Sequence, residues 1–343
     1  MLSSITKKIV LILLVASQSL SVLAQSKSGL HILKKHAIES NGGWDYVTVD
    51  ATEKKIYVSH GTQVNILSTA TGDSIGVIPN TNGVHGIALV KDFGKGYTSN
   101  GRDNSCTIFD LKTNAQLGKI TLGTNPDAIF YDEFSKKIYA FNGRSNDASV
   151  IDPATDKVVA TIPLGGKPET SVSDGKGKIF VNSETTNEVV VIDAKTYKVI
   201  NRYKINDGDE PSGLAIDRVT NRLFIGCGGN ATLVVMDAAN GKNLAKFKIG
   251  DCDGVAFDPA LKMVYTSNGE GSVSVIKEIG AGKVVFIENI ATEKGARTIG
   301  IDTLTHHLFL PTAQTEAVAP TAENAHPRPK VIAGTFHVIE LGK

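Results

Sequence analysis

The sequence predicts an all-β chain folded as a seven-bladed β-propeller, its ring closed by an N-terminal strand that completes the last blade. Three observations carry this. One unit recurs seven times at intervals of 41 to 44 residues. Every unit places an aromatic residue on its second strand. The seventh unit lacks a last strand, and a strand without a unit stands near the start of the chain. Four short strands in 40-odd residues are what one propeller blade requires.

Each unit is a short strand, a turn centred on aspartate, and a second strand bearing the aromatic. In order they read YVTVDATEKKIYVSHG (46–61), IALVKDFGKGYTSNG (87–101), AIFYDEFSKKIYAFNG (128–143), TSVSDGKGKIFVNSE (170–184), GLAIDRVTNRLFIGCG (213–228), GVAFDPALKMVYTSNG (254–269) and TIGIDTLTHHLFLPTA (298–313). The turn column is Asp50, Lys91, Asp132, Asp174, Asp217, Asp258 and Asp302. These acids are read as turn formers. The aromatic column is Tyr57, Tyr97, Tyr139, Phe180, Phe224, Tyr265 and Phe309. Large flat side chains at one repeated place suit the contact between stacked sheets.

Third and fourth strands follow in each unit, as in ASVIDPATDKVVATIPLGG (148–166) and VVVIDAKTYKVINRYKI (189–205). Their apolar and polar residues alternate, as half-buried strands do. In the seventh unit residues 336–341 give a third strand, and then the chain stops. Leu30–Ile38 alternates like the fourth strands elsewhere. It is expected to fill the gap, which removes two exposed sheet edges.

The first 24 residues read differently. Lys7 and Lys8 precede the apolar run Ile9–Val15, and Val22-Leu23-Ala24 offers small residues for cleavage. This is the pattern of a secretory signal peptide cut after Ala24. The run is too short to span a bilayer, and no other stretch approaches the roughly 20 apolar residues a span needs. A single propeller domain over residues 25–343, periplasmic or secreted and without a transmembrane segment, is therefore expected. Cleavage removes two lysines and no acid, which turns a net charge of +1 into about −1. A near-neutral surface speaks against nucleic acid as a partner. A monomer is expected. Of the three cysteines, Cys227 and Cys252 fall at the same end of adjacent blades and are a candidate disulfide; Cys106 is read as a buried thiol.

The segments IYVSHG, VIDPATDKVVATIPLGGKPE, GLAID and ARTIGIDTLTHHLFLPTA resemble the YVTN β-propeller repeat. From about Leu30 to its end the chain resembles the YncE-like secreted propellers. The resemblance implies the fold. That family is mostly without an assigned reaction, so it implies little about chemistry.

Repeats make a candidate site calculable. Five residues before the turn column lies the mouth of each inner strand: Asp45, Gly86, Asp127, Glu169, Ser212, Asp253 and Arg297. One residue earlier stand Trp44, His85, Pro126, Pro168, Pro211, Cys252 and Ala296. Past the second strand a further ring holds His60, Asn100, Asn142, Ser183, Cys227, Asn268 and Thr312. Loops beyond it carry Arg102, Asp103, Arg144, Glu184 and Glu270. Ligand-binding residues at the pore mouth are accordingly expected among Arg102, Asp103, Asp127, Arg144, Glu169, Glu184, Asp253, Glu270 and Arg297. Asp127, Glu169 and Asp253 are candidate ligands for a divalent cation such as calcium. Arg102, Arg144 and Arg297 would clamp a carboxylate or phosphate. The competing reading makes all of them solvated lining and loop caps.

The histidines are weaker signals. His306 and His307 lie in the turn of blade seven, away from the mouth, and point opposite ways. His31 and His36, in the closing strand, are expected at the surface. His60 and His85 stand at the mouth, but two histidines without a third ligand in register do not make a metal site. One loop breaks the repeat. Residues 314–334 span some twenty positions where other blades use about five. The loop should lie on the mouth face. There it is either a lid bringing Glu316, His326 and Arg328 over the channel or a surface excursion.

The one GxSxG string, Gly72-Asp73-Ser74-Ile75-Gly76, lacks the strand-to-helix turn of a nucleophile elbow, and no HExxH helix, P-loop or dinucleotide fingerprint occurs. Three functions stay open. The first is a binding module for a small polar ligand or protein partner at the mouth. The second is a metal-dependent lyase or lactonase-type hydrolase built on the acidic ring. The third is a redox or cofactor-binding propeller.

Overall fold

A computed structural model describes residues 27–40, 42–280, 282–320, 327 and 329–343. The leader assigned to residues 1–24 lies outside the described residues. Seven four-stranded antiparallel sheets stand around a common axis. In blades one to six the four strands follow in chain order. In blade three, for example, they are Pro126–Asp132, Lys137–Asn142, Asp147–Asp152 and Lys157–Pro163. Inner strands touch their neighbours all the way round, and Trp44–Asp50 of blade one meets Gly300–Asp302 of blade seven. Among the described residues no helix is long and apolar enough to cross a membrane.

Blade seven is made from both ends of the chain. Its strands are Gly300–Asp302, His307–Thr312, His337–Gly342 and, outermost, His31–Ala37. The last two run antiparallel, from His31 opposite Gly342 to Ala37 opposite His337. The N-terminal strand thus closes the ring as its alternation predicts.

The core lies between blades. Second strands are buried on both faces because a sheet covers each face; in Lys137–Asn142 every residue after the first is buried. All seven column aromatics are at most 1% exposed. Cutting one back to alanine would cost about 3–5 kcal/mol. One interblade layer joins Tyr139, Phe141 and Val150 to Ile179, Val181 and Val190 of the next blade. Outer strands keep one wet face, as in the alternating exposure of Asn243–Lys248.

The turn acids are structural. Asp258 accepts the N–H groups of Ala260 (2.9 Å) and Leu261 (3.0 Å), and Asp302 those of Leu304 and Thr305. Asp174 accepts from the N–H groups of Lys176 and Lys178. The next blade often adds a donor. Lys91 reaches Asp50 (2.6 Å), Ser173 reaches Asp132 (2.6 Å), Lys262 reaches Asp217 (3.2 Å) and His306 meets Asp258 (2.7 Å). Each latch ties a turn to its neighbour, so burial of the acid is compensated.

One irregularity recurs in the inner strands of blades one to six. In blade three Pro126 lies opposite Asn142 but Ile129 opposite Ala140, one residue too many on the inner side. The other five blades repeat it. Such a bulge turns the strand locally and re-aims a side chain. It places one residue per blade at the mouth.

The same register corrects blade two. Val84 pairs with Asn100 and Val90 with Lys95, as Pro126 pairs with Asn142 and Asp132 with Lys137. Val90, not Lys91, therefore occupies the turn column. His85, not Gly86, occupies the mouth ring. Gly86 is the next position, where a Cβ would come within 3.2 Å of the Asp127 carbonyl oxygen of the following blade.

Two other expectations change. Cys227 and Cys252 are not bonded; all three cysteines are free and buried. Cys227 packs in the layer between blades four and five, and Cys252 in the layer between five and six. Burial pushes the Cys227 thiol up to about 12 and holds Cys252 well above the usual thiol range. His36 is buried, not at the surface, with Nε2 2.7 Å from Glu340. In the long loop, Thr315–Glu316 pairs with Lys330–Val331 as a short two-stranded sheet. Glu316 bonds to Lys330 at 3.2 Å. His326 and Arg328 lie outside the described residues.

Candidate functional site at the pore mouth

Seven equivalent positions, one per blade, meet at the mouth: Asp45, His85, Asp127, Glu169, Ser212, Asp253 and Arg297. Their side chains are linked in one arc that runs from Ser212 through Asp253, Arg297, Asp45 and His85 to Asp127. His85 Nδ1 lies 2.5 Å from Asp45 Oδ2 and 3.7 Å from Asp127 Oδ1. Ser212 donates to Asp253 Oδ1 (2.8 Å), and Arg297 Nε pairs with Asp253 Oδ2 (2.8 Å). Arg297 Nη2 then lies 4.0 Å from Asp45. On the other flank Lys167, two residues before Glu169, meets Glu169 (2.6 Å) and also contacts Glu184.

Buried hydroxyls fix the backbone that carries the ring. Ser59 Oγ accepts from Asp45 N–H (3.1 Å) and donates to Tyr46 O (3.0 Å). Ser99 Oγ accepts from Gly86 N–H (2.8 Å) and donates to Asp127 O. Thr298 donates to Asp45 O, and Ser267 to Arg297 O. The ring therefore sits on strands pinned blade to blade, the arrangement a precise site needs.

The charges on the ring are held against solvation. Burial pushes the Asp127 carboxyl up; Asp45 adds to this, and His85 and Lys167 oppose it. Burial also raises Glu169, reinforced by Asp127 and by a hydrogen bond with Glu184, against the pull of Lys167. Glu184 goes the other way: burial works against its charge, but the bonds from Glu169 and Lys167 hold its carboxyl low. The pair is thus split, with Glu169 held up and Glu184 held down. Asp253 is raised by burial despite Arg297. For His85 burial opposes the charge, yet Asp45 and Asp127 prevail and favour the imidazolium. Such displaced titrations cluster where proteins do chemistry or bind ions.

Tyr46 stands one position beyond Asp45 and lines neither mouth cavity. It crosses from blade one to pack on the layer of blades three and four. Its hydroxyl bonds to Thr170, and burial with the nearby Asp127 and Glu169 keeps it neutral. Above the ring a polar cavity of about 250 Å³ opens over blades four to seven. Lys167, Glu169, Asp253 and Arg297 line it, and Glu210 and Asp251 stand at its rim. Beside it, a cavity of about 590 Å³ runs between Trp44 and the base of the long loop at Thr315, Pro329 and Val331. The two cavities share Asp251, Gly269 and Arg297.

Of the residues singled out from sequence, Asp127, Glu169, Glu184, Asp253 and Arg297 come together here. Arg102, Asp103, Arg144 and Glu270 do not. Arg102 and Arg144 are exposed on turns and line neither cavity. Asp103 points outward, bonded to Asn82 and, at 3.2 Å, to Lys119 of the outer strand. Glu270 accepts from Asp251 N–H and Ser272, which makes it a loop cap. Asp127, Glu169 and Asp253 do not share one ligand set either, since Glu169 is engaged by Lys167 and Asp253 by Arg297. The ring past the second strand is buried and ties strands together: Asn100 donates to Ser105 and Thr107, Asn268 to Ser272 and Ser274. His60 is stacked on Phe336 (3.8 Å between centroids), with Nδ1 on Ser40 and Nε2 on the Gly42 carbonyl.

The sequence reading put His85 at the mouth but on the adjoining ring, and it missed Tyr46 and Lys167. Counting seven back from Tyr97, as from Tyr57 or Tyr139, gives Val90 and hence His85. Tyr46 stands in a column otherwise filled by Gly86, Ala128, Thr170, Gly213, Gly254 and Thr298, one bulky residue among small ones. Lys167 had no counterpart in the repeat to draw attention to it.

No protein-family model matches this chain, and no curated protein matches it. Solved structures do match in shape. A chain of Kuenenia stuttgartiensis hydrazine synthase aligns with a TM-score of 0.70 at 15% identity, covering 82% of this chain and 95% of that one. A chain of a mitotic checkpoint complex aligns with a TM-score of 0.70 at 12% identity, covering 83% and 88%. Identities this low show the fold alone. The chain is similar to both as a propeller.

Proposed function

We propose that this protein is a periplasmic or secreted binding module of the YVTN-repeat, YncE-like kind, which takes a small polar ligand at its pore mouth. The observation that carries the reading is the polar cavity of about 250 Å³ set over a preorganised ring of ionisable groups. Its size suits a ligand somewhat smaller than a typical drug-sized molecule. Lys167 and Arg297 are already offset by Glu184, Glu169 and Asp253. Glu210 and Asp251 have no ion-pair partner among the described residues. The cavity therefore favours a ligand that presents an amine or several hydroxyl donors, and disfavours a second anion.

The test is a thermal-shift screen of small amines, amino acids and sugars on the purified protein, followed by calorimetry on any hit. A donor-rich ligand should bind wild type and lose at least about tenfold in affinity in the Glu169→Gln, Asp253→Asn double variant, as expected when buried polar partners are removed. A hit that binds the folded double variant as tightly as wild type would sink the mouth as the site. Export is tested separately: sequencing the N-terminus of protein recovered from a secreting host should begin at Gln25.

A further inference from the structure

We propose that Asp45, His85 and Asp127 form a divalent metal site on blades one to three, of the transition-metal class (zinc or manganese). The inference does not rest on the ligand reading above, because it concerns the opposite arc of the ring and is read out with metal alone.

The geometry comes first. One ligand atom from each of the three residues lies within 4.8 Å of the other two. Among the described residues this is the one group of three or more potential metal ligands that converges so closely. Ligands about 2.0–2.2 Å from a tetrahedral metal stand roughly 3.3–3.6 Å apart. The His85–Asp45 and His85–Asp127 separations of 2.5 and 3.7 Å bracket that range. Small rotations of the side chains would bring all three into place. Three protein ligands leave a fourth position for water, as in catalytic rather than structural zinc sites.

A second observation is independent of this convergence. The Asp127 side chain is only 14% exposed, yet its carboxylate accepts no hydrogen bond among the described residues. Its nearest positive group is His85, at 3.7 Å. A largely buried carboxylate without a donor lacks a partner that the fold would ordinarily supply. The turn acids Asp132, Asp217, Asp258 and Asp302 lie deeper still, and each has two or three donors. Asp127 faces His85 and Asp45, where a cation would complete it.

The supports are of the kind metal sites use. The backbone carrying Asp127 is pinned by Ser99, and that carrying Asp45 by Ser59 and Thr298. The imidazole decides the class of ion. Calcium takes oxygen ligands in sets of six to eight, whereas one nitrogen with two carboxylates suits zinc or manganese. This differs from the Asp127, Glu169 and Asp253 set expected for calcium.

The experiment uses the purified protein stripped with chelator. Zinc, manganese and calcium are titrated by calorimetry, bound metal is counted by elemental analysis, and cobalt substitution gives a visible spectrum. One zinc or manganese per chain is expected, with calcium weaker, and a cobalt form with d–d absorption. His85→Gln and Asp127→Asn should each weaken binding by about 100-fold or more, beyond the 10–100-fold typical of residues that merely support a ligand. Asp103→Asn, an exposed acid on the same face, should bind as wild type. Wild type that binds none of these ions would overturn the site. So would binding that survives unchanged in either folded variant. Should His85→Gln fail to fold, as judged by its melt, Asp127→Asn and the cobalt spectrum of wild type decide.

Discussion

At one end of the inner strands Asp50, Asp132, Asp217, Asp258 and Asp302 close turns; at the other Asp45, Asp127, Glu169 and Asp253 face the mouth. Both sets are acids at repeated positions, the turn set buried and the mouth set less so, with the Asp253 side chain 35% exposed. Their surroundings differ. The turn acids are met by backbone N–H groups two or three residues on, and most by a donor from the next blade. Burial works against the charge of Asp217, but Val219 N–H, Glu278, Thr220 and Lys262 outweigh it and hold its carboxyl down to about 2. The mouth acids have fewer donors and face one another, and Asp127, Glu169 and Asp253 are held up. One fold thus uses the same residue type twice. Where the partners are built into each turn the acid is a latch; where they are missing or shared the acid is available to something else.

The largest effect should come from breaking a latch. Asp132→Ala leaves Ser135 N–H and the Ser173 hydroxyl without their acceptor and should cost about 2–4 kcal/mol by urea unfolding, as buried donors lose their partner. An unchanged midpoint would mean the turn ring carries no stability. Asp217 sharpens the point through pH. Its folded carboxyl lies below the unfolded value, so its stabilisation is full above about pH 4 and is lost as pH falls toward 2. Wild type should lose about 2 kcal/mol over that interval relative to Asp217→Asn, and parallel acid limbs for the two proteins would refute the latch.

Glu169 should behave with the opposite sign and a smaller size. Its folded carboxyl is raised, so above about pH 4.3 the native state keeps a proton that the unfolded state has lost. Stability then falls as pH rises. Glu169→Gln imitates the protonated acid and should gain about 1 kcal/mol at pH 8, fading to nothing near pH 4. A variant equally destabilised at both pH values would make Glu169 another latch. Least of all should change at Arg102→Ala and Arg144→Ala. Both side chains are exposed, and each variant should stay within about 0.5 kcal/mol of wild type.

The propeller was legible in the sequence because repetition averages out local noise. Seven aromatics and seven turns agree even where single units deviate. The closing strand was legible from a missing partner, since the seventh unit left an edge that Leu30–Ile38 could fill. The mouth ring was legible in six blades and displaced by one residue in blade two. There no aspartate marks the turn: Val90 holds the column and Lys91 follows it, so counting from Lys91 put Gly86 where His85 belongs. Arg102, Arg144 and Glu270 are not gathered with the ring, for a different reason. Sequence places a residue on a face but not its distance from the axis; Arg102 and Arg144 are exposed on turns, and Glu270 is spent on capping its own loop. Charge pairing at the mouth, as in Lys167 with Glu184 within blade four or His85 with Asp45 between blades two and one, depends on side-chain directions that no spacing encodes.

The contrast between the two rings is tested most directly by titrating their carboxyl groups by NMR with selectively labelled Asp and Glu, resolved one by one with conservative variants. Asp217 should titrate near 2, and Asp127 and Glu169 clearly above the ordinary carboxylate range. If mouth and turn acids instead titrate together near 4, the mouth is a solvated rim like any other, and its role as a preorganised site is contradicted.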